Sequence, residues 1–213
     1  MGADKLVIGA IFANAAVAVP ARTAASFDGR DLSFAELETR SNQLARMLST
    51  FDVRAGSRVV LWSGTDLDAV PLFAALAKVG AVFVPINGQL AADEVEAILS
   101  RCRPDLVVTG PDAGAAGGTV GAWPQIALDD LGDRAAAHDP DPVDVPGLTG
   151  RHPHVAFFTS GSTGRPKGAV LSHEVNYLRT HPGALPEPRG AMVCPYPLFH
   201  MGCLLYTSDA ADE

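Results

Sequence analysis

The stretch Phe158-Thr159-Ser160-Gly161-Ser162-Thr163-Gly164-Arg165-Pro166-Lys167-Gly168 concentrates hydroxyls and glycines in one short run that ends in a lysine. Glycine lets the backbone adopt positive φ and approach a ligand closely. Successive backbone N–H groups in such a turn form an anion-binding concavity. The hydroxyls of Thr159, Ser160, Ser162 and Thr163 add donors, and Lys167 supplies a mobile positive charge. The chemistry served by this combination is phosphate binding. It is not a Walker A loop, which ends in Gly-Lys-Ser/Thr and runs directly into a helix; here Lys167 stands between Pro166 and Gly168. A flexible Gly/Ser turn between two strands is the simpler alternative. Such turns rarely combine this many hydroxyls with a Pro-Lys-Gly ending, so a phosphate cradle is the preferred reading.

Holding such a loop requires rigid elements on both sides. The apolar run Val155-Ala156-Phe157-Phe158 leads in, and Ala169-Val170-Leu171 leads out. Upstream, Asp28-Gly29 lies between two short runs and predicts a hairpin over Ala25 to Leu32. Ser33 and Glu36 have the spacing of a capping box, and Phe34, Leu37, Leu44 and Leu48 give one apolar face to a helix reaching about Thr50. Strands are predicted at Arg58 to Trp62, Ala81 to Pro85 and Leu106 to Thr109. A helix from Gly64-Thr65 to Val79, with Pro71 in its first turn or at a kink and Gly80 as its stop, separates the first two. Another over Ala92 to Arg101 separates the second from the third. This alternation predicts an α/β fold with a mostly parallel layered sheet and flanking helices. Trp123, Ile126 and Leu128 mark a further short strand region, and Ser172 is positioned to cap a helix over His173 to Thr180. Ala191 to Cys194 reads as a strand, and His138 to Pro153 as a linker or surface loop.

The formal charge of −8 argues against nonspecific binding to DNA or to an anionic membrane. The odd cysteine count (Cys102, Cys194, Cys203) and the lack of a CxxC pair argue against a disulfide framework or zinc site, with a reducing cytoplasm as the expected setting. His152-Pro153-His154 is read as a loop entry rather than a metal site. Lys5 and the apolar run from Leu6 to Val19 resemble a weak signal peptide, but Asp4 and Asn14 interrupt the pattern. No run reaches the length of a transmembrane helix.

Thr159 to Gly168 resembles the signature phosphate loop of the adenylate-forming superfamily: acyl- and aryl-CoA synthetases, peptide-synthetase adenylation domains and beetle luciferases. Leu32 to Ala45, Leu76 to Asn87 and the acyl-pocket-like run Pro197-Leu198-Phe199-His200-Met201-Gly202 are similar to further stretches of that superfamily. The resemblance is strongest to acyl-CoA synthetases. It implies that residues 1–204 are the front part of a large N-terminal domain, opening with an amphipathic helix and with a surface loop before the phosphate loop. It implies ATP-dependent activation of a carboxylic acid to an acyl-adenylate, then transfer to the thiol of coenzyme A, with Mg2+ as the ATP-bound ion. Thr159, Ser160, Gly161, Ser162, Thr163, Gly164 and Lys167 would hold the phosphates; Lys167 and His200 would be catalytic. Phe199-His200 replaces the aromatic-Asp pair of amino-acid-activating domains, which favours an acyl or aryl acid over an α-amino acid. The alternatives are an amino-acid or aryl-acid adenylation domain and a non-catalytic nucleotide-binding module. The sequence contains no Tyr-Gly-x-Thr-Glu or Thr-Gly-Asp segment, and 205–213 is short and acidic; the expectation is an N-terminal fragment with a non-native tail.

Overall fold

A computed structural model describes residues 6–116, 121–159, 166–180, 193–194 and 197–200. The chain begins with helix α1 (Ile8–Ala18) and the hairpin of β1 (Thr23–Phe27) and β2 (Arg30–Ser33). Asp28 and Gly29 both take positive φ, 51° and 72°, as a tight hairpin turn between right-twisted strands requires. Helix α2 (Phe34–Ser49) opens with the expected capping box: Glu36 N donates to Ser33 Oγ at 3.2 Å, and Ser33 N donates to Glu36 Oε2 at 2.8 Å.

Strands and helices then alternate through β3 (Arg58–Ser63), α3 (Ala69–Val79), β4 (Val82–Asn87), α4 (Ala92–Cys102) and β5 (Leu106–Thr109). After a 3-10 turn at Pro111–Ala116 come β6 (Gln125–Ala127), α5 (Leu128–Ala135), β7 (Pro153–Thr159), β8 (Lys167–Ser172) and α6 (His173–Thr180). The main sheet has the order β6-β5-β3-β4-β7-β8. All its neighbours pair in parallel except β7 and β8, which are antiparallel.

Alternate residues of each strand point to opposite faces. Val59, Leu61, Phe83, Leu106 and Val108 pack with Leu44 and Leu48 of α2, Leu72 and Leu76 of α3, and Leu131 of α5. Val60, Trp62, Val82, Val84 and Val107 pack with Val95, Ile98 and Leu99 of α4. The near-continuous apolar strands therefore reflect a sheet covered on both faces.

Several expectations are corrected. Helix α3 starts at Ala69, not at Gly64, because Asp66 folds its carboxylate onto the amide of Asp68 (2.8 Å) and holds the preceding residues as a turn. Pro71 then falls in the first helical turn, where no N–H is needed. Helix α5 was not foreseen; its Leu128, Leu131 and Ala135 are buried at helical spacing within a stretch rich in aspartate. His154, expected at a loop entry, lies inside β7 and is only 1% exposed. Of the strand expected at 191–194, residues 191–192 lie outside the described set, and Val193 and Cys194 are in no strand. Cys194 is disulfide-bonded, against the expectation from the cysteine count, whereas Cys102 is free and buried.

Candidate functional site

The parallel strands β3, β4, β5 and β7 end at one edge of the sheet, at Ser63, Asn87, Thr109 and Thr159. The chain leaves β3 toward α3 on one face and leaves the adjacent β4 toward α4 on the other. Neighbouring strands whose connections diverge in this way leave a crevice beyond their carboxyl ends, the usual ligand position in open α/β sheets.

The phosphate-loop run joins β7 to β8 at this edge. The hairpin register pairs Phe158 with Gly168 and Thr159 with Lys167. The first and last of the proposed phosphate ligands are thereby brought opposite each other, with Lys167 on an exposed residue of the edge strand. A Cβ on Gly168 would lie 3.2 Å from Phe158 Cζ, so the ring covers the glycine and fixes the base of the hairpin. Ser160, Gly161, Ser162, Thr163 and Gly164 lie outside the described residues.

A glycine follows each of the three strands beside the crevice: Gly64 after β3, Gly88 after β4 and Gly110 after β5. Gly88 N donates to Ser63 O at 3.1 Å and Gly110 N to Trp62 O at 2.9 Å, drawing the three strand ends together. A Cβ on Gly88 would lie 2.7 Å from the backbone N of Gly64 and 2.9 Å from the carbonyl carbon of Ser63. Backbone cannot swing aside as a side-chain tip can. Gly88→Ala is therefore expected to lower stability by about 1–3 kcal/mol, read from the urea midpoint.

The loop leaving β3 is held from several sides. Arg30 donates to Asp66 at 3.1 Å and to Asp68 at 3.0 Å, and Arg40 also bonds Asp68. Burial alone would raise the Asp68 carboxyl, but the Arg30 and Arg40 guanidiniums outweigh it and hold it below its ordinary value. Against this loop sits the turn Pro197 to His200, closed by His200 N donating to Pro197 O at 2.8 Å. Leu198 N donates to Thr65 Oγ1 at 3.4 Å, and the Leu198 side chain packs on the main core. His200 itself is exposed. His200 is thus held near the carboxyl end of β3, and Lys167 near that of β7. With β4 between them and about 4.8 Å per strand, the two ends are on the order of 10 Å apart. Thr65 was not foreseen as part of this site; the only signal was a hydroxyl next to a glycine straight after an apolar strand.

A second feature lies behind the hairpin. His154 of β7 and His173 of α6 stack with ring centroids 4.5 Å apart and 28° between planes, and each is at most 1% exposed. Ile8 N donates to His173 Nδ1 at 3.3 Å, and Asn176 Nδ2 lies 2.8 Å from His154 Nδ1. Burial, with a smaller contribution from His173, pushes the His154 imidazole well below its usual range. Burial, then the neighbouring His152, pushes His173 down to about 4. These rings are neutral at pH 7 and join β7, α6 and the start of α1.

Among the described residues no group of three or more His, Cys, Asp or Glu side chains is arranged to hold a metal ion. Nor is any described helix long and apolar enough to cross a membrane.

Residues 12–208 match the family model described as AMP-binding enzyme. The chain is 33% identical over 188 residues to the long-chain-fatty-acid–CoA ligase FadD13 of Mycobacterium tuberculosis, a match covering 81% of this chain and 36% of that protein. It is also 33% identical over 168 residues to the probable non-canonical nonribosomal peptide synthetase CymA of Salinispora arenicola, covering 76% of this chain and 2% of that protein. The crystal structure of the N-terminal domain of FACL13 from Mycobacterium tuberculosis superposes with a TM-score of 0.83 at 26% identity, covering 95% of this chain and 54% of that one. The chain thus spans about a third of the length of the ligase it matches.

Proposed function

The chain belongs to the AMP-binding enzyme family, and from that premise we propose that it carries the phosphate-binding part of an enzyme that activates a carboxylic acid with ATP and passes the acyl group to coenzyme A. In the first step a carboxylate oxygen forms a bond to the α-phosphorus of ATP while the bond to pyrophosphate breaks. Negative charge grows on the leaving pyrophosphate. Fixed backbone amides, hydroxyls and a lysine offset that charge without reorganising during the reaction. Thr159, Ser160, Gly161, Ser162, Thr163, Gly164 and Lys167 take this role, and His200 orients the carboxylate. Mg2+, carried in with ATP, would offset phosphate charge further; the described residues offer it no cluster of their own. A cytoplasmic setting belongs to the same proposal.

The observation that carries the reading is the β7–β8 register, which sets Thr159 opposite Lys167 at the carboxyl edge of a parallel sheet. An anion placed there meets the mouth of the hairpin. An amino-acid or aryl-acid adenylation domain is the second reading. It has support in the equal identity to a peptide synthetase, whereas the Phe199-His200 pair favours an acyl or aryl acid over an α-amino acid.

The test is ATP–pyrophosphate exchange in a complete enzyme containing this segment, with calorimetric titration of ATP alongside. Lys167→Ala is expected to slow exchange about 100-fold while weakening ATP less than about tenfold, because a movable charge acts chiefly on the transition state. Equal losses in rate and affinity would reject that role. Exchange driven by an amino acid but by no fatty acid would select the second reading.

A further inference from the structure

We propose that the cavity beside the Glu38–Lys78 pair is a binding site for a small neutral ligand that carries a hydroxyl on a short aliphatic body. The site is separate from the phosphate-binding run. Lys78 stands just before Gly80, whose carbonyl accepts from the Gly56 amide at 2.8 Å. That places it by the starting ends of β3 and β4, at the sheet edge opposite Thr159 and Lys167.

The cavity has a volume of about 320 Å³ and lies between α1, α2, the end of α3 and the loop Pro142 to Leu148. Val7, Ala13, Val143, Val145 and Leu148 give it an aliphatic lining, and its size is within the range of small-molecule sites. The loop that roofs it is tied down. Asn42 Nδ2 donates to Pro140 O at 2.9 Å, and Arg46 donates to Asp139 O at 2.9 Å. Leu148 packs so closely over Gly80 that a Cβ there would lie 2.6 Å from Leu148 Cδ1. The space is thus formed by contacts within the chain itself.

The polar wall of this space has unused hydrogen-bonding capacity. Lys78 is buried, and its ammonium has three N–H groups. Its aligned acceptor among the described residues is Asn42 Oδ1 at 2.6 Å. Glu38 Oε2 lies 2.8 Å from Nζ, yet it is buried and accepts no aligned hydrogen bond from any described residue. A buried carboxylate oxygen without a donor is costly. A hydroxyl satisfies both groups at once: it donates its proton to Glu38 Oε2 and accepts from Lys78 Nζ. The pair is already neutral in sum, so a charged ligand would add an uncompensated charge. An anion would face Glu38 and Asp144, and a cation would face Lys78. The aliphatic body covers the apolar lining.

The probes are pentan-1-ol, pentanoate and pentylammonium, titrated into the 213-residue chain. The methyl signals of Val7 and Leu148 and the ε-methylene signal of Lys78 are followed by NMR. Pentan-1-ol is expected to shift all of them saturably, with a dissociation constant of about 1–10 mM. The two ions are expected to bind at least about tenfold more weakly. The double variant Glu38→Leu with Lys78→Met leaves no charge buried and should weaken pentan-1-ol about tenfold by removing both partners of its hydroxyl. Ala10→Leu enlarges a residue that lines the cavity, from an exposed position and with a good helix former, and should weaken it by a similar factor. If Ala10→Leu lowers stability, Val143→Phe takes its place. Shifts that do not saturate, or equal binding of the three probes, would overturn the proposal. So would undiminished binding of pentan-1-ol by the double variant or by the filled cavity.

Discussion

Glu38→Ala is expected to destabilise the chain by roughly 3–5 kcal/mol, the loss that follows when one partner of a buried ion pair is removed. Lys78 near the end of α3 is 7% exposed, and its Nζ lies 2.8 Å from Glu38 Oε2 and 2.6 Å from Asn42 Oδ1. Asn42 in turn donates to Glu38 Oε1 at 3.1 Å and to Pro140 O at 2.9 Å. Removing Glu38 leaves a buried ammonium with only a neutral partner. The sign of the pH dependence follows. Burial already lowers the Lys78 pKa, against the opposing pull of Glu38. The unfolded chain therefore keeps its proton to higher pH than the folded one, and stability rises with pH through that interval. Without Glu38 the folded pKa falls further, so the deficit of Glu38→Ala is largest near neutrality and shrinks as pH rises toward 10, a value near the ordinary lysine pKa. Urea unfolding at several pH values measures this. The double variant Glu38→Leu with Lys78→Met is expected to recover most of the loss, since no charge is then left buried. A Glu38→Ala variant within about 1 kcal/mol of the parent would show that the pair contributes no more than an exposed one.

Acid should unfold the chain through His154 and His173. Both imidazoles have folded pKa values depressed by burial, His173 to about 4. Protons therefore bind the unfolded chain first as pH falls below the usual histidine value. The stability present above about pH 6.5 is lost on the way down to about pH 4. The shift at His173 alone corresponds to roughly 3 kcal/mol, and His154 adds a loss of the same sign. Urea midpoints between pH 7 and pH 4.5 should fall with a slope approaching two protons taken up on unfolding. His154→Phe should bring that slope toward one proton, because only His173 then has to remain neutral. A slope unchanged by His154→Phe would mean that the acid sensitivity arises from carboxylates instead. His154 sits on β7, the strand that leads into the proposed phosphate-binding run, and His173 begins the helix that follows β8.

The sequence by itself determined whatever is local. The capping box at Ser33 and Glu36, the Asp28-Gly29 hairpin and the Gly80 stop each depend on a few neighbouring residues, and each is found where it was expected. The apolar runs of β3, β4, β5 and β7 were legible because both faces of the sheet are covered, and the run Thr159 to Lys167, proposed here to bind phosphate, stands out because its residue types are unusual together. Tertiary structure decided the rest. Lys78, a basic residue at a helix C-terminus, reads as solvated; it is buried because α1 lies over it, with Gly9 so close that a Cβ would be 3.0 Å from Lys78 Cγ. His154 and His173 meet only through the hairpin between them, and no spacing rule joins a strand residue to the first residue of a later helix. Gly64, Gly88 and Gly110 share one junction because a parallel sheet aligns the ends of strands distant in sequence, and backbone contact there admits no side chain. Thr65 and Leu198, far apart in sequence, meet through a contact whose energy depends on distance in space and not on separation along the chain.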